Sequence, residues 1–230
     1  YREMLGYSEK EFETVPLLEL THPDYREHNQ VLFTELLEGK RDQYQIEKQY
    51  RRKDGTLVWV RNNVSIVPGT EDTSRLVVAF SEEITERKRT EDALQLSEER
   101  ARLVLNSAAE GIFGCDSQGT CLFCNPAAVR LLGYERPEDL LGQNMHRLEH
   151  HTRPDGRPFP IEECPIYMGI LDNRGVHVDD EVFWRKDGSS FPVEYWSHPL
   201  MRDGTRVGAV VTFFDISERR RAESELRNTE

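Results

Sequence analysis

Phe214-Asp215-Ile216-Ser217-Glu218-Arg219 is the stretch that decides the fold, because an earlier part of the chain repeats its pattern. Ile84-Thr85-Glu86-Arg87 stands 132 positions before Ile216-Ser217-Glu218-Arg219. Motifs that recur in one order at nearly one offset indicate a tandem duplication of a single structural unit. Two further pairs recur in this way: Arg52-Lys53-Asp54-Gly55 with Arg185-Lys186-Asp187-Gly188, and Leu5-Gly6-Tyr7 with Leu132-Gly133-Tyr134.

The second copy shows the whole unit. Two short β-prone runs flank Asp116-Ser117-Gln118-Gly119, which is a hairpin signal. Asn125 and Pro126 open a short predicted helix that ends at Leu132. A polar, helix-prone middle follows, and then three strands, so the order predicts an α+β fold with an antiparallel sheet and helices on one face. The three strands are predicted at about Glu181–Arg185, Phe191–Ser197 and Val207–Phe214.

The first copy contains only the later part of the unit. Its last three strands are predicted at about Gln43–Arg51, Leu57–Ile66 and Leu76–Phe80. The opening hairpin is missing, because Gly111 precedes Leu132 by 21 residues whereas only four residues precede Leu5. We therefore expect the cavity of the first copy to be open to solvent and unable to bury a ligand.

Charged segments without Gly or Pro follow both copies, at about Thr85–Asn106 and Ser217–Thr229. We predict one continuous helix over Thr85–Asn106. Two arrangements of this helix are compatible with the sequence: packing on its own unit, or a coiled coil that joins two protomers. The apolar residues of its single stripe are Leu94, Ala101, Leu105 and Ala108.

Composition excludes several classes of function. The net charge of −12 disfavours a nucleic-acid partner, since the basic runs Arg87-Lys88-Arg89 and Arg219-Arg220-Arg221 lie among glutamates. No apolar run is long enough to span a bilayer, and no leader precedes the first unit, so we expect a cytoplasmic fragment. Nucleotide-binding and nucleophile-elbow motifs are absent from the sequence, which predicts a fragment with no catalytic residues.

These motifs closely resemble those of PAS (S-box) sensor domains from bacterial signalling proteins, and the resemblance covers nearly the whole chain. In the first copy it rests on Thr21-His22-Pro23-Asp24, Arg51-Arg52-Lys53-Asp54-Gly55, Trp59 and Ile84-Thr85-Glu86-Arg87. In the second copy it rests on Glu110-Gly111-Ile112, Asn125-Pro126-Ala127-Ala128, Leu131-Leu132-Gly133-Tyr134, Trp184-Arg185-Lys186-Asp187-Gly188 and Phe214-Asp215-Ile216-Ser217-Glu218-Arg219.

The resemblance implies a five-stranded sheet that cups a small cavity, and a C-terminal helix that relays the state of that cavity or of a dimer. It implies an effector elsewhere in the parent protein, a histidine kinase in the first instance and a diguanylate cyclase or phosphatase otherwise. Asp215, Ser217 and Arg219 are the expected relay residues. The expected division is residues 1–86 for a PAS domain without its hairpin, 87–106 for a connecting helix, 107–218 for a complete PAS domain and 219–230 for the output helix.

Three functions are consistent with this resemblance: a sensor of a small ligand or partner, a ligand-free dimerisation and relay module, and a haem or flavin sensor of gas or redox state. Light-sensing PAS domains of the LOV class carry a reactive cysteine where this chain has Met145, and a flavin-bonding glutamine where it has Phe213. Neither side chain supports that photochemistry. A flavin held without an adduct remains consistent with the sequence.

Haem and metal sites have few candidate ligands. Oxygen-sensing haem PAS domains place the proximal histidine eleven residues before a closing Gly, a count that selects His28 in the first copy and Cys164 in the second. Cys121 and Cys124 lie three apart on a predicted strand and should point to opposite faces, so they should not share a metal. His146, His150 and His151 fall in what reads as a polar loop, and we expect neither a metal site nor a resident cofactor.

Strand parity predicts the lining of the cup in the second copy. Because the lining is mostly apolar, we expect a hydrophobic or aromatic ligand there, or a cup filled by its own side chains. On the last strand, Val210 and Phe214 form a second apolar set that needs a cover from a helix or a second protomer. The candidate lining residues are Phe183, Val193, Tyr195, Val211 and Phe213 from the sheet, with Met145 and Cys164 from the helical side.

Overall fold

A computed structural model describes residues 2–68 and 76–227. The chain forms two compact units, Tyr1–Glu98 and Glu99–Glu230. The second charged segment was predicted at about Ser217–Thr229, and its part from 228 onward lies outside the described residues. Among the described residues, no helix combines the length and the hydrophobicity that a membrane span requires.

The first unit contains a three-stranded antiparallel sheet in the order β1-β2-β3. The turn Arg52-Lys53-Asp54-Gly55 joins the first two strands. In this turn, Asp54 accepts a hydrogen bond from the backbone N–H of Thr56 at 2.9 Å. The strands are β1 (Gln43–Arg51), β2 (Leu57–Val67) and β3 (Leu76–Glu83). The helices of this unit are α1 (Arg2–Leu5), α2 (Glu9–Phe12), α3 (Leu17–Leu20) and α4 (Pro23–Leu37).

The second unit contains the five-stranded antiparallel sheet that the PAS resemblance implies, in the order β5-β4-β8-β7-β6. Its strands are β4 (Gly111–Asp116), β5 (Cys121–Cys124), β6 (Val176–Trp184), β7 (Ser190–Arg202) and β8 (Thr205–Asp215). Its helices are α6 (Pro126–Leu131), α7 (Met145–Glu149), α8 (Pro165–Asp172) and α9 (Ser217–Arg227), and 3-10 turns cover Pro137–Asp139 and Ile161–Glu163. The α+β fold class is therefore confirmed. Strand β6 begins five residues before the predicted start, because its first half pairs with β7 across an irregular register at Val178.

The strands of the second unit approach one another closely at Gly208. A Cβ at this position would lie 1.8 Å from the carbonyl oxygen of Cys115 on β4, so no larger residue fits without moving a strand. Beyond Gly208, the burial of side chains along β8 alternates as predicted. Val211 and Phe213 are fully buried, whereas Val210 and Phe214 on the other face are partly buried.

A single helix, α5 (Thr85–Ser107), covers the segment in which the sequence predicts one. None of its side chains, all of which are described, is buried. Leu94 and Val104 are 60% and 70% exposed. Leu105, by contrast, is only partly exposed, so both arrangements of this helix stay predictions.

The junction between sheet and helix uses the same ion pair in both units. Arg185, from the turn after β6, donates to Asp215 at the end of β8 at 2.8 Å, and Arg52 donates to Glu83 at the end of β3 at 2.8 Å. The other oxygen of Asp215 accepts the backbone N–H of Ser217 at 2.9 Å. Asp215 thereby satisfies one of the free amides at the start of α9.

Lys48 on β1 is a buried ammonium group that forms no ion pair within the described part of the chain. Its Nζ donates to Asn29 Oδ1 at 2.7 Å and lies 4.7 Å from the centre of the Tyr50 ring. Burial lowers the pKa of Lys48 to about 8. Charging this side chain therefore works against the folded state of the first unit near neutral pH.

Asp215→Ala should lower the free energy of unfolding of the second unit by about 1–2 kcal/mol, because it removes the Arg185 ion pair and the bond to the Ser217 amide. The matched control is Asp172→Ala, which removes an ion pair with Arg174 between two largely exposed side chains. Such surface pairs contribute about 0–1 kcal/mol. Urea unfolding measures both, and equal effects of the two substitutions would contradict the assignment.

Between pH 8 and pH 10, the first unit should become more stable by about 1–3 kcal/mol, since the unfolded chain, with a lysine pKa of about 10.4, then binds a proton that folded Lys48 has released. Lys48→Met should abolish this rise. Lys53→Met, at a half-exposed lysine that pairs with Glu11, should retain it. The measurement is the urea unfolding midpoint across this pH range, and a rise that persists in Lys48→Met would show that another group is responsible.

Candidate functional site

The seven residues predicted to line the cup of the second unit lie together in one core. Each is at most 3% exposed. Ring packing joins them, with Phe183 stacked on Tyr195 at 5.4 Å and in edge contact with Phe213 at 5.3 Å. These seven residues are Met145, Cys164, Phe183, Val193, Tyr195, Val211 and Phe213.

Little space remains among these side chains. The cavity beside them has a volume of about 20 Å³, which suits one or two water-sized species. In this structure the aromatic side chains of the cup occupy most of the volume that a hydrophobic or aromatic ligand would need. A ligand in the cup and a cup filled by its own side chains both stay predictions.

The cavity wall on the helical side is polar. His146 lies in α7, His150 ends that helix, and Cys164 precedes α8. One ligand atom from each of the three lies within 4.8 Å of the others, and Cys164 Sγ is 3.3 Å from His150 Nδ1. Glu149 lines the same cavity and is fully buried, with its Oε2 lacking a hydrogen-bond partner among the described residues. We call His146, Glu149, His150 and Cys164 the polar cluster.

Both histidine rings of the polar cluster are positioned by a polar contact at Nε2. Nε2 of His146 donates to the carbonyl oxygen of Phe159 at 2.8 Å. Nε2 of His150 lies 2.7 Å from Glu181 Oε2, which also accepts the hydroxyl of Tyr195 at 2.8 Å. Since a carbonyl only accepts, His146 carries its proton on Nε2 in this bond and, when neutral, presents the lone pair of Nδ1.

The protonation of the cluster follows from these contacts. Burial raises the pKa of the Cys164 thiol, but the neighbouring His146 and His150 outweigh it and bring that pKa down to about 6. Burial lowers the pKa of His150, but bonds to Cys164 and Glu181 outweigh it and raise that pKa to about 9. Burial, with a smaller contribution from Cys164, raises the pKa of Glu149 well above its usual value, although His150 opposes the shift. At neutral pH these directions favour a thiolate at Cys164 beside a protonated His150.

The proline-rich loop between His150 and Pro160 covers the cluster. Phe159 is buried and makes edge contact with the rings of His146 at 6.1 Å and His150 at 4.8 Å. The guanidinium of Arg153 lies 4.0 Å from the centre of the Phe159 ring and pairs with Glu163. This loop closes the polar side of the cup.

The first unit has a much larger cleft, of about 690 Å³, between α4 and the face of the sheet. Phe33 and Val77 on its wall are each 39% exposed, so the cleft is open as expected. The expectation that a bound small molecule lies in the second unit rather than in this open cleft stays a prediction. The polar side chains on its wall include Asn29, Lys48 and Asn62.

The two haem candidates differ in setting. His28 is exposed on α4 and does not line the cleft. Cys164 is buried and bonded to His150, beside a cavity far smaller than a macrocycle. Neither placement offers an axial ligand facing a haem-sized space in this structure.

The prediction that Cys121 and Cys124 point to opposite faces is wrong. Strand β5 has an extra residue, Leu122, because Gly114 pairs with Phe123 whereas Cys115 pairs with Cys121. This bulge reverses the alternation, so both cysteines contact the core and their thiols interact. The interaction with Cys124 and then burial raise the pKa of Cys121, whereas the interaction with Cys121 outweighs burial and lowers the pKa of Cys124.

Sequence reasoning missed the polar cluster. His146 and His150 are four residues apart, the spacing that places two side chains on one face of a helix. That spacing was available in the sequence, but the segment reads as a polar loop because α7 is only five residues long. The contributions of Glu149 and Glu181 carried no local signal.

Comparisons with known proteins agree with this architecture. A family described as the PAS fold matches residues 99–216, and a second PAS fold family matches residues 1–80. The chain is 26% identical over 200 residues to the probable diguanylate cyclase DgcE of Escherichia coli (strain K12), which covers 86% of this chain and 18% of that protein. It is 26% identical over 113 residues to the sensor histidine kinase TmoS of Ectopseudomonas mendocina, which covers 49% of this chain and 12% of that protein. The chain thus spans less than a fifth of the length of either relative.

Among solved structures, the PAS domain of nitrogen regulation protein NR(II) from Vibrio parahaemolyticus is 17% identical, with a TM-score of 0.41, and covers 50% of this chain and 97% of that chain. The PAS domain of an HTR-like protein from Haloarcula marismortui is 21% identical, with a TM-score of 0.43, and covers 56% of this chain and 99% of that chain. The family matches extend over both repeats and include more than half of the sequence in the second repeat alone. The chain belongs to the PAS family and carries two PAS units in tandem.

Proposed function

We propose that this chain is a sensory and regulatory PAS relay within a longer signalling protein. Its effector, a histidine kinase or a diguanylate cyclase, lies outside these 230 residues. The relatives support this, since one is a probable diguanylate cyclase and another a sensor histidine kinase. Catalysis belongs to the effector. Residues 1–86 and 107–218 act as the two PAS domains, 87–106 as the connecting helix and 219–230 as the start of the output helix.

The observation that carries the proposal is the repeated junction between the last strand and the following helix. In the second unit, Asp215 joins the turn arginine to the first amide of α9. Arg219, one turn further on, donates to Glu194 on the outer face of β7 at 2.6 Å. The first unit has its own version, in which Arg87 donates to Glu47 on β1 at 2.6 Å. A shift of the sheet would therefore displace the first turn of each helix, and this supports relay roles for Asp215, Ser217 and Arg219.

The packed interior of the second unit favours a relay over a sensor of a large organic ligand. A cavity of about 20 Å³ leaves no room for haem, flavin or an aromatic metabolite in this conformation. The four cysteines are free thiols, which supports a reducing, cytoplasmic location. The signal at this unit is then a small species or a partner protein.

If signals pass along α5, the output of the full-length protein should depend on the rotational phase of that helix. Inserting two residues after Glu98 rotates the second unit by about 200° relative to the first, whereas inserting seven rotates it by about 700°, close to two whole turns. The two-residue insertion should change basal kinase or cyclase activity at least several-fold. The seven-residue insertion should leave that activity close to that of the unmodified protein. Equal activities of both insertions and the unmodified protein would refute relay through α5.

We also propose that α5 pairs with α5 of a second copy of this chain. Leu94, Ala101 and Val104 are exposed and follow spacings of seven and three, the a and d positions of a coiled coil. A homodimer would bury these residues along one seam. Charged residues surround the seam, which is typical of a two-stranded coiled coil rather than of a buried helix.

A double substitution on the seam, Leu94→Glu with Val104→Glu, should convert the dimer to a monomer in sedimentation velocity measurements. The control is Leu96→Glu with Leu103→Glu, which adds the same charge to the same helix at two exposed leucines off the seam. The control should remain dimeric. A monomeric parent chain at high concentration, or equal effects of the two pairs, would contradict pairing through α5.

A further inference from the structure

We propose that His146, His150 and Cys164 form a binding site for a divalent transition metal ion, Zn²⁺ in the first instance, in the cavity that Glu149 also lines. The proposal rests on the geometry of the second unit and does not depend on the proposed relay. It revises the expectation from the sequence that this chain has no metal site.

The ligand atoms are close to the spacing that zinc requires. One atom from each of the three residues lies within 4.8 Å of the others. Around tetrahedral zinc, with bonds of about 2.3 Å to sulfur and 2.0 Å to nitrogen, ligand atoms are about 3.5 Å apart. The 3.3 Å from Cys164 Sγ to His150 Nδ1 already meets that spacing. Small rotations of the His146 ring would bring the third atom into range.

The direction of the ring nitrogens supports the same conclusion. Each Nε2 is engaged from behind, by the Phe159 carbonyl oxygen for His146 and by the Glu181 carboxylate for His150. Nδ1 of His146 is buried without a hydrogen-bond partner among the described residues, whereas Nδ1 of His150 lies 3.3 Å from Cys164 Sγ and would release its proton when a metal ion binds. Metal-binding histidines are held in this way, by a carboxylate or carbonyl that fixes the tautomer and the ring.

Glu149 is the independent observation that points to a cation. Its carboxyl group is fully buried at the cavity, and Oε2 has no partner within the described part of the chain. Burying such a group without a partner is costly, and a bound cation would remove that cost. The cavity of about 20 Å³ suits an ion, or an ion with one water molecule.

The donor set selects the class of metal. A thiolate with two imidazoles suits zinc and its neighbours in the first transition series, and it disfavours Mg²⁺ and Ca²⁺, which prefer oxygen donors. Cobalt(II) is the appropriate probe, because it takes tetrahedral zinc sites and its thiolate complexes absorb light.

The test is titration of the purified chain, stripped of metal, with Co²⁺ and then with Zn²⁺. We expect one ion per chain, a thiolate-to-cobalt charge-transfer band with the visible bands of tetrahedral cobalt, and displacement by Zn²⁺. Cys164→Ser should abolish the charge-transfer band, and His146→Asn should weaken Zn²⁺ binding by more than about 100-fold, since even residues behind the ligands contribute 10- to 100-fold.

Two controls keep the outcome decisive. Cys115→Ser changes a buried thiol that lines the same cavity but is outside the cluster, and it should leave the band and the affinity unchanged. Circular dichroism of each metal-free variant shows whether it folds, and His146, which is less buried than His150, is the variant least dependent on the core. Loss of the band in Cys115→Ser but not in Cys164→Ser, or a folded parent chain that gives no band with excess Co²⁺, would overturn the proposal.

Discussion

The ion pair between Arg185 and Asp215 is the contact on which the rest of the second unit depends. The guanidinium of Arg185 donates to Asp215 and to the carbonyl oxygen of Leu131 at the end of α6, and it lies 4.3 Å from the centre of the Phe191 ring. One planar group with several donors can hold a turn, a strand end and a helix end together, which an ammonium group does less well. Because α9 begins two residues after Asp215, the position of that carboxylate fixes the start of the helix.

The two units keep this junction and differ in their interiors. Arg52 and Glu83 repeat the ion pair, and the backbone N–H of Lys53 bonds to Leu5 O just as that of Lys186 bonds to Leu132 O, at 3.0 Å in each case. Inside, one unit has an open cleft with a buried lysine, and the other has packed aromatic rings with a polar cluster. Bonds at the junction follow from backbone geometry that both copies share. Interior side chains can vary as long as volume and polarity are satisfied, so duplication leaves them free to acquire different roles.

The sequence was sufficient to predict the strands of the sheet but not the packing of the interior. Turn motifs and alternation located the strands, and the alternation on β8 correctly placed Val211 and Phe213 inside, because successive residues of a strand face opposite sides. The same rule failed on β5, where one extra residue, Leu122, reverses the parity and is not visible in the sequence. The volume left in the cup could not be predicted from the sequence either, since it depends on how Phe159 in a long loop packs against His150.

The polar cluster joins elements that are distant along the chain, which is why it could not be read from local patterns. His150 and Glu181 are 31 residues apart, and Glu181 also accepts a hydrogen bond from Tyr195 on β7. The next residue back along β7, Glu194, holds Arg219 of α9 on the opposite face of the sheet. One strand therefore contacts the cluster on its inner side and the first turn of the output helix on its outer side. Such a series of contacts becomes a switch only if one end has two distinct states. If the cluster binds a metal ion as proposed, its metal-free and metal-bound forms would be two such states, and the contacts through β7 connect them to the first turn of α9.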